Sequence, residues 1–197
     1  MNHKQFTDFF DLKVQRTVSD NGCLIYKMKN PTGEGVITQC EVLPGIQFFF
    51  NDFHMKDGQN QNKLPHPGVI EINHCREGRF ECTFCNGDYQ YLGAGDLSIN
   101  RLTNQTVSTL FPMSHYHGIS ITIDLYQASQ TIKGIETITG SLHIDLNEIA
   151  ERFCRDDTCY ILHGKDIIGH IFSELYAITA NLYSHLEYNA KVISAET

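Results

Sequence analysis

The sequence lacks the features that would place it in a membrane or secreted class. No apolar run approaches the roughly 18 residues that a membrane-spanning helix needs. The first residues, MNHKQFTDFF, lack the apolar core of a secretory signal. Positive charge is also scarce, with 15 Lys and Arg against 23 Asp and Glu. The chain is therefore poorly suited to binding the phosphate backbone of nucleic acids or the surface of anionic membranes. We therefore expect a cytoplasmic protein without membrane contact.

Recognisable catalytic motifs are absent as well. The sequence contains no glycine-rich phosphate loop, no Gly-x-Ser-x-Gly nucleophile elbow and no spaced carboxylate pair beyond what a surface carries. Its seven cysteines are scattered, odd in number and unlike the framework of a small secreted domain, so we expect reduced thiols. These absences predict a protein that is not an enzyme and needs no cofactor.

Turn signals and two-residue alternation are typical of the first part of the chain. A hairpin is predicted on either side of a turn at Asn30–Gly33, followed by a short apolar strand at Ile46–Phe50. The polar stretch from His54 to Pro67 has no periodicity and is predicted to be a surface loop. This pattern favours a mainly β fold.

The stretch from Ile70 to Ile99 organises the rest of this β region. Predicted reversals at Arg76–Gly78, Asn86–Asp88 and Gly95–Asp96 make it an antiparallel meander, because such short connections fold a strand back on its neighbour. A further strand at Ile119–Leu125 alternates strictly between apolar and polar residues. About eight strands with these turn spacings predict a barrel or a sandwich.

Helical patterns follow the strands. Asp145 and Glu148 have the form of a capping box and lead into a short helix. After Gly164, apolar residues recur at three- and four-residue steps from Ile167 to Leu186, which predicts an amphipathic helix. The predicted fold is therefore a β-barrel followed by two or three α-helices.

Five runs resemble, in their order along the chain, the N-terminal sensor half of AraC-type transcriptional regulators. These runs are Glu71–Glu81, Gly95–Leu97, His117–Ile121, Cys159–Leu162 and His170–Tyr176. The resemblance implies a cupin-like antiparallel β-barrel that binds a small-molecule effector, helices that form a homodimer, and a pair of helix-turn-helix motifs that bind DNA. We therefore expect sensing and dimerisation from this chain.

The resemblance also implies a division of the chain. Residues 1–128 would form the effector-binding barrel, with residues 1–20 as an N-terminal arm or helix, and residues 129–197 would form the helical dimerisation and linker region. Beyond Arg155 the only basic residues are two lysines, and no segment has the character of a recognition helix. We therefore expect DNA contact only through a C-terminal domain that this chain lacks.

A pair of histidines suggests a metal site that the rest of the motif does not support. His115 and His117 lie two residues apart, so a strand would place both imidazoles on one face, as cupin metal sites do. Such sites also use a glutamate a few residues later, whereas the first acidic residue here is Asp124. We expect histidines at the barrel mouth and no bound metal. The alternative is a metal-dependent cupin enzyme that uses His115 and His117.

Cys82 and Cys85 have the spacing of a zinc or redox motif. Residues three apart in an extended strand point to opposite faces, so both thiols could reach one ion only across a sharp turn. Buried Cys82 is more simply a small hydrophobic residue of the wall.

Several side chains are candidates for contact with an effector inside the barrel. His74 follows Ile70 and Ile72 by alternation and is predicted to point inward, either as a core residue or as a ligand contact. Aromatic residues of the predicted strands would line the same space. The candidate ligand-binding residues are Phe48, Phe50, His74, Tyr91, His115 and His117.

The apolar stripe of the last helix has two interpretations. It could pack on the barrel, or it could form a symmetric helix–helix dimer interface, as the resemblance implies. The candidate dimerisation residues are Ile168, Phe172, Leu175 and Leu182. A third alternative for the whole chain is a dimerisation module that senses nothing, with a filled barrel. Alternation gives the face of each residue but not the register between strands, so it does not identify the effector.

Overall fold

The computed structural model describes residues 15–19, 22–58, 65–103, 106–140, 143–164 and 168–177. Within these ranges the chain forms 11 β-strands, two complete α-helices, a short 3-10 helix at Arg155–Asp157 and a further helical segment at residues 168–177, named α3 here. The elements are β1 (Gln15–Val18), β2 (Leu24–Asn30), β3 (Gly33–Leu43), β4 (Ile46–His54), β5 (Asp57–Gly58), β6 (His66–Phe84), β7 (Tyr89–Gly93), β8 (Leu97–Leu102), β9 (Thr106–Leu110), β10 (Tyr116–Asp124), α1 (Leu125–Thr139), α2 (Leu146–Phe153) and β11 (Tyr160–Leu162).

Two antiparallel sheets share strand β6. The larger sheet has the order β1-β2-β3-β4-β10-β6-β8-β11. In the smaller sheet, β7 and β9 flank the second half of β6, and β5 pairs with β9. Because one strand belongs to both, the sheets face each other as a half-barrel. The fold class predicted from the sequence, a mainly antiparallel β-barrel followed by helices, is confirmed in this half-barrel form.

Strand β6 departs from the prediction. The reversal expected at Arg76–Gly78 is wrong, because β6 continues without interruption from His66 to Phe84. Gly78 has φ +83°, a left-handed conformation that glycine adopts without strain, and a Cβ there would collide with the His115 carbonyl. A register shift between His117 and Gly118 accompanies this bend. The strand therefore leaves one sheet and enters the other instead of folding back.

Most of the other predicted elements are confirmed within the described residues. The first hairpin is β2 and β3, and the predicted strand after Gly118 is β10. The predicted loop from His54 to Pro67 is partly strand, since it contains β5 and the start of β6, while residues 59–64 lie outside the described ranges. The estimate of about eight strands missed the short ones.

A disulfide joins Cys23 to Cys40, so the expectation that every cysteine is a reduced thiol is wrong at these two positions. Leu24 pairs with Gln39 in the β2–β3 ladder, which places Cys23 opposite Cys40 with 4.6 Å between their Cα atoms. Residues that face each other in a narrow antiparallel pair are about 4.5 Å apart, a separation that a disulfide can bridge. The remaining five cysteines are thiols.

One core lies between the two sheets. Phe53 of the larger sheet stacks on Phe111, which follows β9, with 4.7 Å between ring centroids. Leu92 of β7 is fully buried beside them. The buried members of this cluster are Tyr26, Met28, Ile37, Phe53, Met55, Cys75, Leu92, Phe111 and Tyr116. The apolar contact fixes the smaller sheet over one end of the larger one.

The helices cover the outer face of the larger sheet. Asp124 caps α1, which the sequence pattern did not predict, by accepting a hydrogen bond from the Gln127 amide at 2.9 Å. Asp145 caps α2 as the capping box predicts, accepting from the amides of Asn147 and Glu148. Both helices share a buried cluster with Ile70 of β6. Among the described helices, none combines the length and the apolar character needed to cross a membrane.

The predicted last helix is confirmed for the residues that the structure describes, 168–177. The rest of that prediction, together with Leu182, lies outside the described residues. Most of the predicted N-terminal arm also lies outside them, although Gln15–Val18 pairs with β2 as strand β1. Residue 128, where the barrel was predicted to end, falls in α1. The division of the chain at that residue stays a prediction.

Candidate functional site

Strand β10 presents its apolar side chains to the helices and its polar side chains to the space between the sheets. Ile119 and Ile121 pack in a cluster with Phe172 of α3. Ser120 and Thr122 point to the opposite face, since successive side chains of a strand alternate, and both are buried. The inner face of the larger sheet is therefore polar at this level.

The strands beside β10 also present mainly polar side chains to the interior, at the positions that pair with Ser120 and Thr122. Residues that pair directly share a face, so each set of paired residues forms a row across the sheet. Two adjacent rows face the interior of the half-barrel. The central part of one row consists of Gln47, Thr122, Glu71 and Asn100, and that of the other consists of Gln39, Phe49, Ser120, Asn73 and Ser98. At the ends, Glu41 extends the first row, and Leu24 and Ile161 extend the second. Eight of the nine central side chains are polar.

Several of these polar side chains are held in place by hydrogen bonds. The Tyr26 hydroxyl donates to Oε1 of Gln39 at 2.7 Å, and Nε2 of Gln39 donates to Oε1 of Gln47 at 2.9 Å. The side-chain amide of Asn51, on the same face, donates to the Ser120 hydroxyl at 2.9 Å. Burying such groups costs free energy unless they are hydrogen-bonded. An interior lined by amides and hydroxyls is therefore suited to a polar ligand or to water molecules that complete their hydrogen bonds.

The rows carry little charge. Glu71 is the single ionisable residue in their central parts, and its Oε2 accepts a hydrogen bond from the Asn73 side chain at 3.2 Å. Glu41, at the end of the first row, is exposed. Neither row contains a lysine or an arginine. Side-chain amides and hydroxyls both donate and accept hydrogen bonds, and Phe49 adds one apolar surface between them. This combination fits a small hydroxyl- or amide-bearing molecule that is neutral or singly positive.

Two thiols near this face, those of buried Cys75 and partly buried Cys159, are not poised as nucleophiles. Burial raises the pKa of Cys159 to about 12. Burial, with the Asp96 and Glu77 carboxylates, raises the pKa of Cys75 to about 12 as well. A nucleophilic cysteine needs the opposite shift, toward the thiolate. Of the pair with motif spacing, Cys82 is buried within β6, and Cys85 is exposed in the turn that follows β6.

The predicted inward orientation of His74 is wrong, because its ring lies on the outer, helix-covered face. It stacks on Phe172 with 4.1 Å between ring centroids and 9° between the planes. Burial lowers the pKa of His74 to about 4, although the charge of Asp96 acts in the opposite direction. Phe50 packs in the same cluster, and Phe48 shares its face by alternation. These three candidates therefore do not line the concave face.

Tyr91 also lies away from the interior. Its neighbours Gln90 and Leu92 are buried, whereas Tyr91 is exposed on the outer face of the smaller sheet, where the Arg79 guanidinium lies 4.7 Å from its ring centroid. Whether Tyr91 contacts an effector stays a prediction.

The candidate dimerisation residues in the described part of α3 pack within the chain. Phe172 is buried against the sheet, and Ile168 and Leu175 are partly buried in the same cluster. Ile171, at the edge of the same stripe, is 55% exposed. Packing on the barrel, one of the two interpretations of this stripe, therefore applies to Phe172, and dimerisation stays a prediction.

His115 and His117 are joined by a third histidine that sequence reasoning missed. The three imidazoles of His54, His115 and His117 each offer a ligand atom within 4.8 Å of the others. Asp52 and Glu77 lie beside them. The sequence signal was available, since Asp52 and His54 repeat the two-residue spacing of His115 and His117. This cluster lies at one end of the outer face, beyond Phe50 and Ile119.

The described residues therefore define an antiparallel half-barrel with a polar concave face and a helix-covered outer face. No protein-family model matches the chain, and no curated protein is significantly similar to it in sequence. Solved structures resemble parts of it at low identity. Apo ToxT from Vibrio cholerae is 12% identical with a TM-score of 0.44, over 71% of this chain and 49% of that chain.

Two further solved structures have similar values. A cupin 2 conserved barrel domain protein from Salinispora arenicola is 11% identical with a TM-score of 0.39, over 50% of this chain and 84% of that chain. The bacterial pirin YhhW from Escherichia coli, solved in complex with nickel(II), is 15% identical with a TM-score of 0.39, over 56% of this chain and 52% of that chain. The match thus spans about half the length of the pirin and of ToxT. Similarity at this level specifies no activity.

Proposed function

We propose that this chain is the effector-binding and dimerisation region of an AraC-type transcriptional regulator, and that it binds a small polar molecule on the concave face of its half-barrel. The observation that carries this proposal is the pair of polar rows across the larger sheet. A barrel that served only as a scaffold would be filled by apolar side chains at these central positions. The sequence resemblance to AraC-type sensor domains supports the regulatory role.

The chemistry of the rows restricts the effector. Amide and hydroxyl groups favour a polyol, a sugar or an amide-bearing metabolite, and Glu71 tolerates an amino group. An anion would meet that carboxylate without a compensating lysine or arginine in either row, at a cost in affinity.

The central sheet offers a route from the effector to the helices. Asn73 and His74 are neighbours on β6, and they point to opposite faces: Asn73 lies in a polar row, and His74 stacks on Phe172 of α3. A ligand that favours one position of β6 would therefore favour one position of α3. In a dimer, this shift would alter the spacing of DNA-binding domains attached beyond α3.

Several parts of the proposal concern the whole regulator. The chain would form a homodimer, act in the cytoplasm, touch DNA only through a helix-turn-helix domain outside this chain, and catalyse no reaction. Sedimentation equilibrium of the purified chain tests the dimer: a monomer at all accessible concentrations would remove dimerisation from the proposal.

The alternative function is that of a metal-dependent cupin enzyme, whose metal would lie away from the polar rows. His115 and His117 lie on the face opposite to the polar rows, so an ion there would not contact a molecule bound in the rows. The concave face therefore supports binding better than metal-dependent catalysis.

A thermal-shift screen tests the binding step. A ligand that binds only the folded state must raise the unfolding temperature, so sugars, polyols, amino acids and amides are added singly to the purified chain. The shift from an active compound should fall sharply in Thr122→Val and Asn73→Leu, which remove polar groups from the rows. It should persist in Thr137→Val and Asn147→Leu, matched changes at exposed helical positions. A full shift in both row variants would overturn the concave-face site.

A further inference from the structure

Two neighbouring strands carry the same spacing of metal-binding side chains. Asp52 and His54 are two residues apart at the end of β4. His117 lies at the start of β10, and His115, two residues earlier, immediately precedes that strand. In each pair the side chains share a face of the sheet. The antiparallel register pairs His117 with Asp52 and the next residue, Tyr116, with Phe53, which brings His115 beside His54.

The geometry gathers five donor side chains in one place. Oδ1 of Asp52 lies 2.6 Å from Nε2 of His117 and 3.0 Å from Nε2 of His54. From β6, Oε2 of Glu77 lies 3.5 Å from Nε2 of His115 and 3.7 Å from Nδ1 of His117. The ring centroids of His115 and His117 are 4.3 Å apart. All three histidine rings therefore share one small volume with two carboxylates.

We propose that His54, His115 and His117 form a binding site for one divalent late transition-metal ion, completed by Asp52 or Glu77. Imidazole nitrogens select Zn²⁺, Ni²⁺, Co²⁺ and Cu²⁺, whereas Mg²⁺ and Ca²⁺ require mostly oxygen ligands. Three histidines with one carboxylate supply the four ligands of a tetrahedral zinc site. The site lies on the outer face and is separate from the polar rows, so it stands independently of the proposed effector.

Access and mobility are compatible with metal binding. The side chains of His115 and His117 are about one-third exposed, at 32% and 31%, and that of His54 is 57% exposed. An ion can therefore enter from solvent. Nitrogen atoms around Zn²⁺ lie about 2 Å from the ion, so the ligand atoms, now within 4.8 Å of one another, must move closer. His54 is exposed enough to rotate for this closure.

The site is linked to the end of α3 through Glu77. This residue also pairs with Arg76, whose Nε lies 3.3 Å from Oε1 of Glu77. The Arg76 guanidinium lies 4.9 Å from the centroid of the Tyr176 ring in α3. If Glu77 becomes a ligand, its charge is drawn toward the ion and away from Arg76. Metal occupancy would then act on the segment that carries Phe172.

The competing explanation is a network of histidine–carboxylate ion pairs that binds no metal. The test uses the full chain without an affinity tag, stripped with a chelator and titrated with Co²⁺, whose visible spectrum reports its ligands. The site predicts one Co²⁺ per chain, a spectrum of nitrogen and oxygen ligation without thiolate bands, and displacement by Zn²⁺. No saturable binding, or binding with thiolate bands, would overturn the proposal.

Variants locate the bound ion. Replacing a direct ligand should weaken binding by at least about 100-fold, more than the loss of an outer-shell partner, so His54→Gln and His117→Gln should each abolish stoichiometric binding. Exposed His143, which faces Glu136 at 3.4 Å, gives the matched control His143→Gln, and Cys85→Ser tests the exposed thiol. Circular dichroism checks that each variant folds. Unchanged binding in folded His54→Gln and His117→Gln would overturn the site, and retained binding in both controls supports it.

Discussion

The imidazole of His74 lies flat against the ring of Phe172, with 4.1 Å between centroids and 9° between the planes. The Tyr176 hydroxyl is 3.3 Å from Nδ1 of the same histidine. These contacts hold α3 to the outer face of β6, directly behind Asn73 of the concave face. One strand thus separates the proposed effector from the helix that would respond to it.

Phe172 should be the residue through which α3 contributes most to stability. It is 7% exposed, and replacing a buried phenylalanine by alanine typically costs about 3 kcal/mol or more. We expect Phe172→Ala to lower the free energy of unfolding by about that amount, measured by urea denaturation. Glu174→Ala, an exposed change in the same segment, should stay within about 0.5 kcal/mol. Equal effects would mean that α3 is not anchored by this contact.

The buried imidazole should make stability depend on pH. The pKa of His74 falls from 6.5 to about 4 on folding, chiefly because of burial, so between these values the unfolded chain binds more protons. Stability should therefore rise with pH from about 4 to about 6.5, and this contribution should be lost as the pH falls through that window. Urea unfolding of wild type and His74→Phe at pH 7 and pH 5 measures the difference.

His74→Phe keeps an aromatic ring against Phe172 but cannot titrate, so its stability should fall less than that of wild type between pH 7 and pH 5. His143→Phe, at an exposed position, should retain the wild-type dependence. Parallel curves for wild type and His74→Phe would show that His74 is not buried in its neutral form.

Strand β10 shows what the alternation of apolar and polar residues in a sequence can predict and what it cannot. The sequence correctly predicts that Ile119 and Ile121 share one face and that Ser120 shares the other with Thr122. It does not predict which face is the interior, because both faces of this sheet are covered, one by helices and one by the smaller sheet. The inward orientation of His74, Phe48 and Phe50 is wrong for this reason. The apolar face meets the helices, and the polar face lines the half-barrel.

Contacts between distant strands depend on register, which single-strand patterns do not contain. His54 is more than sixty residues before His117 in the chain, so a search for a metal ligand that follows the histidine pair could not find it. The disulfide was more accessible to prediction. Cys23 and Cys40 are equidistant from the predicted turn at Asn30–Gly33, so a correctly placed turn already sets them opposite each other.

The Cys23–Cys40 disulfide should reduce the number of thiols that can be titrated in the unreduced chain. Thiol titration of the denatured chain should give five groups without reductant and seven with it. The bond closes a loop of sequence separation 17, and a crosslink of that length contributes about 3 kcal/mol by restricting the unfolded chain. Cys23→Ala with Cys40→Ala should therefore lose about that stability relative to the oxidised wild type. A reducing cytoplasm would impose the same loss.

Seven thiols in freshly purified, unreduced protein would show that the bond does not form. A control with Cys85→Ala should change the thiol count by one and leave the free energy of unfolding within about 0.5 kcal/mol, because Cys85 is exposed.

The most direct measurement is the structure of the chain bound to the compound that raises its unfolding temperature most. The concave-face proposal predicts that the compound contacts Ser120, Asn73 and Gln39 between the two sheets, with Phe49 against its least polar side. A compound bound instead on the outer face, under α3 at Phe50 and His74, would contradict the proposal.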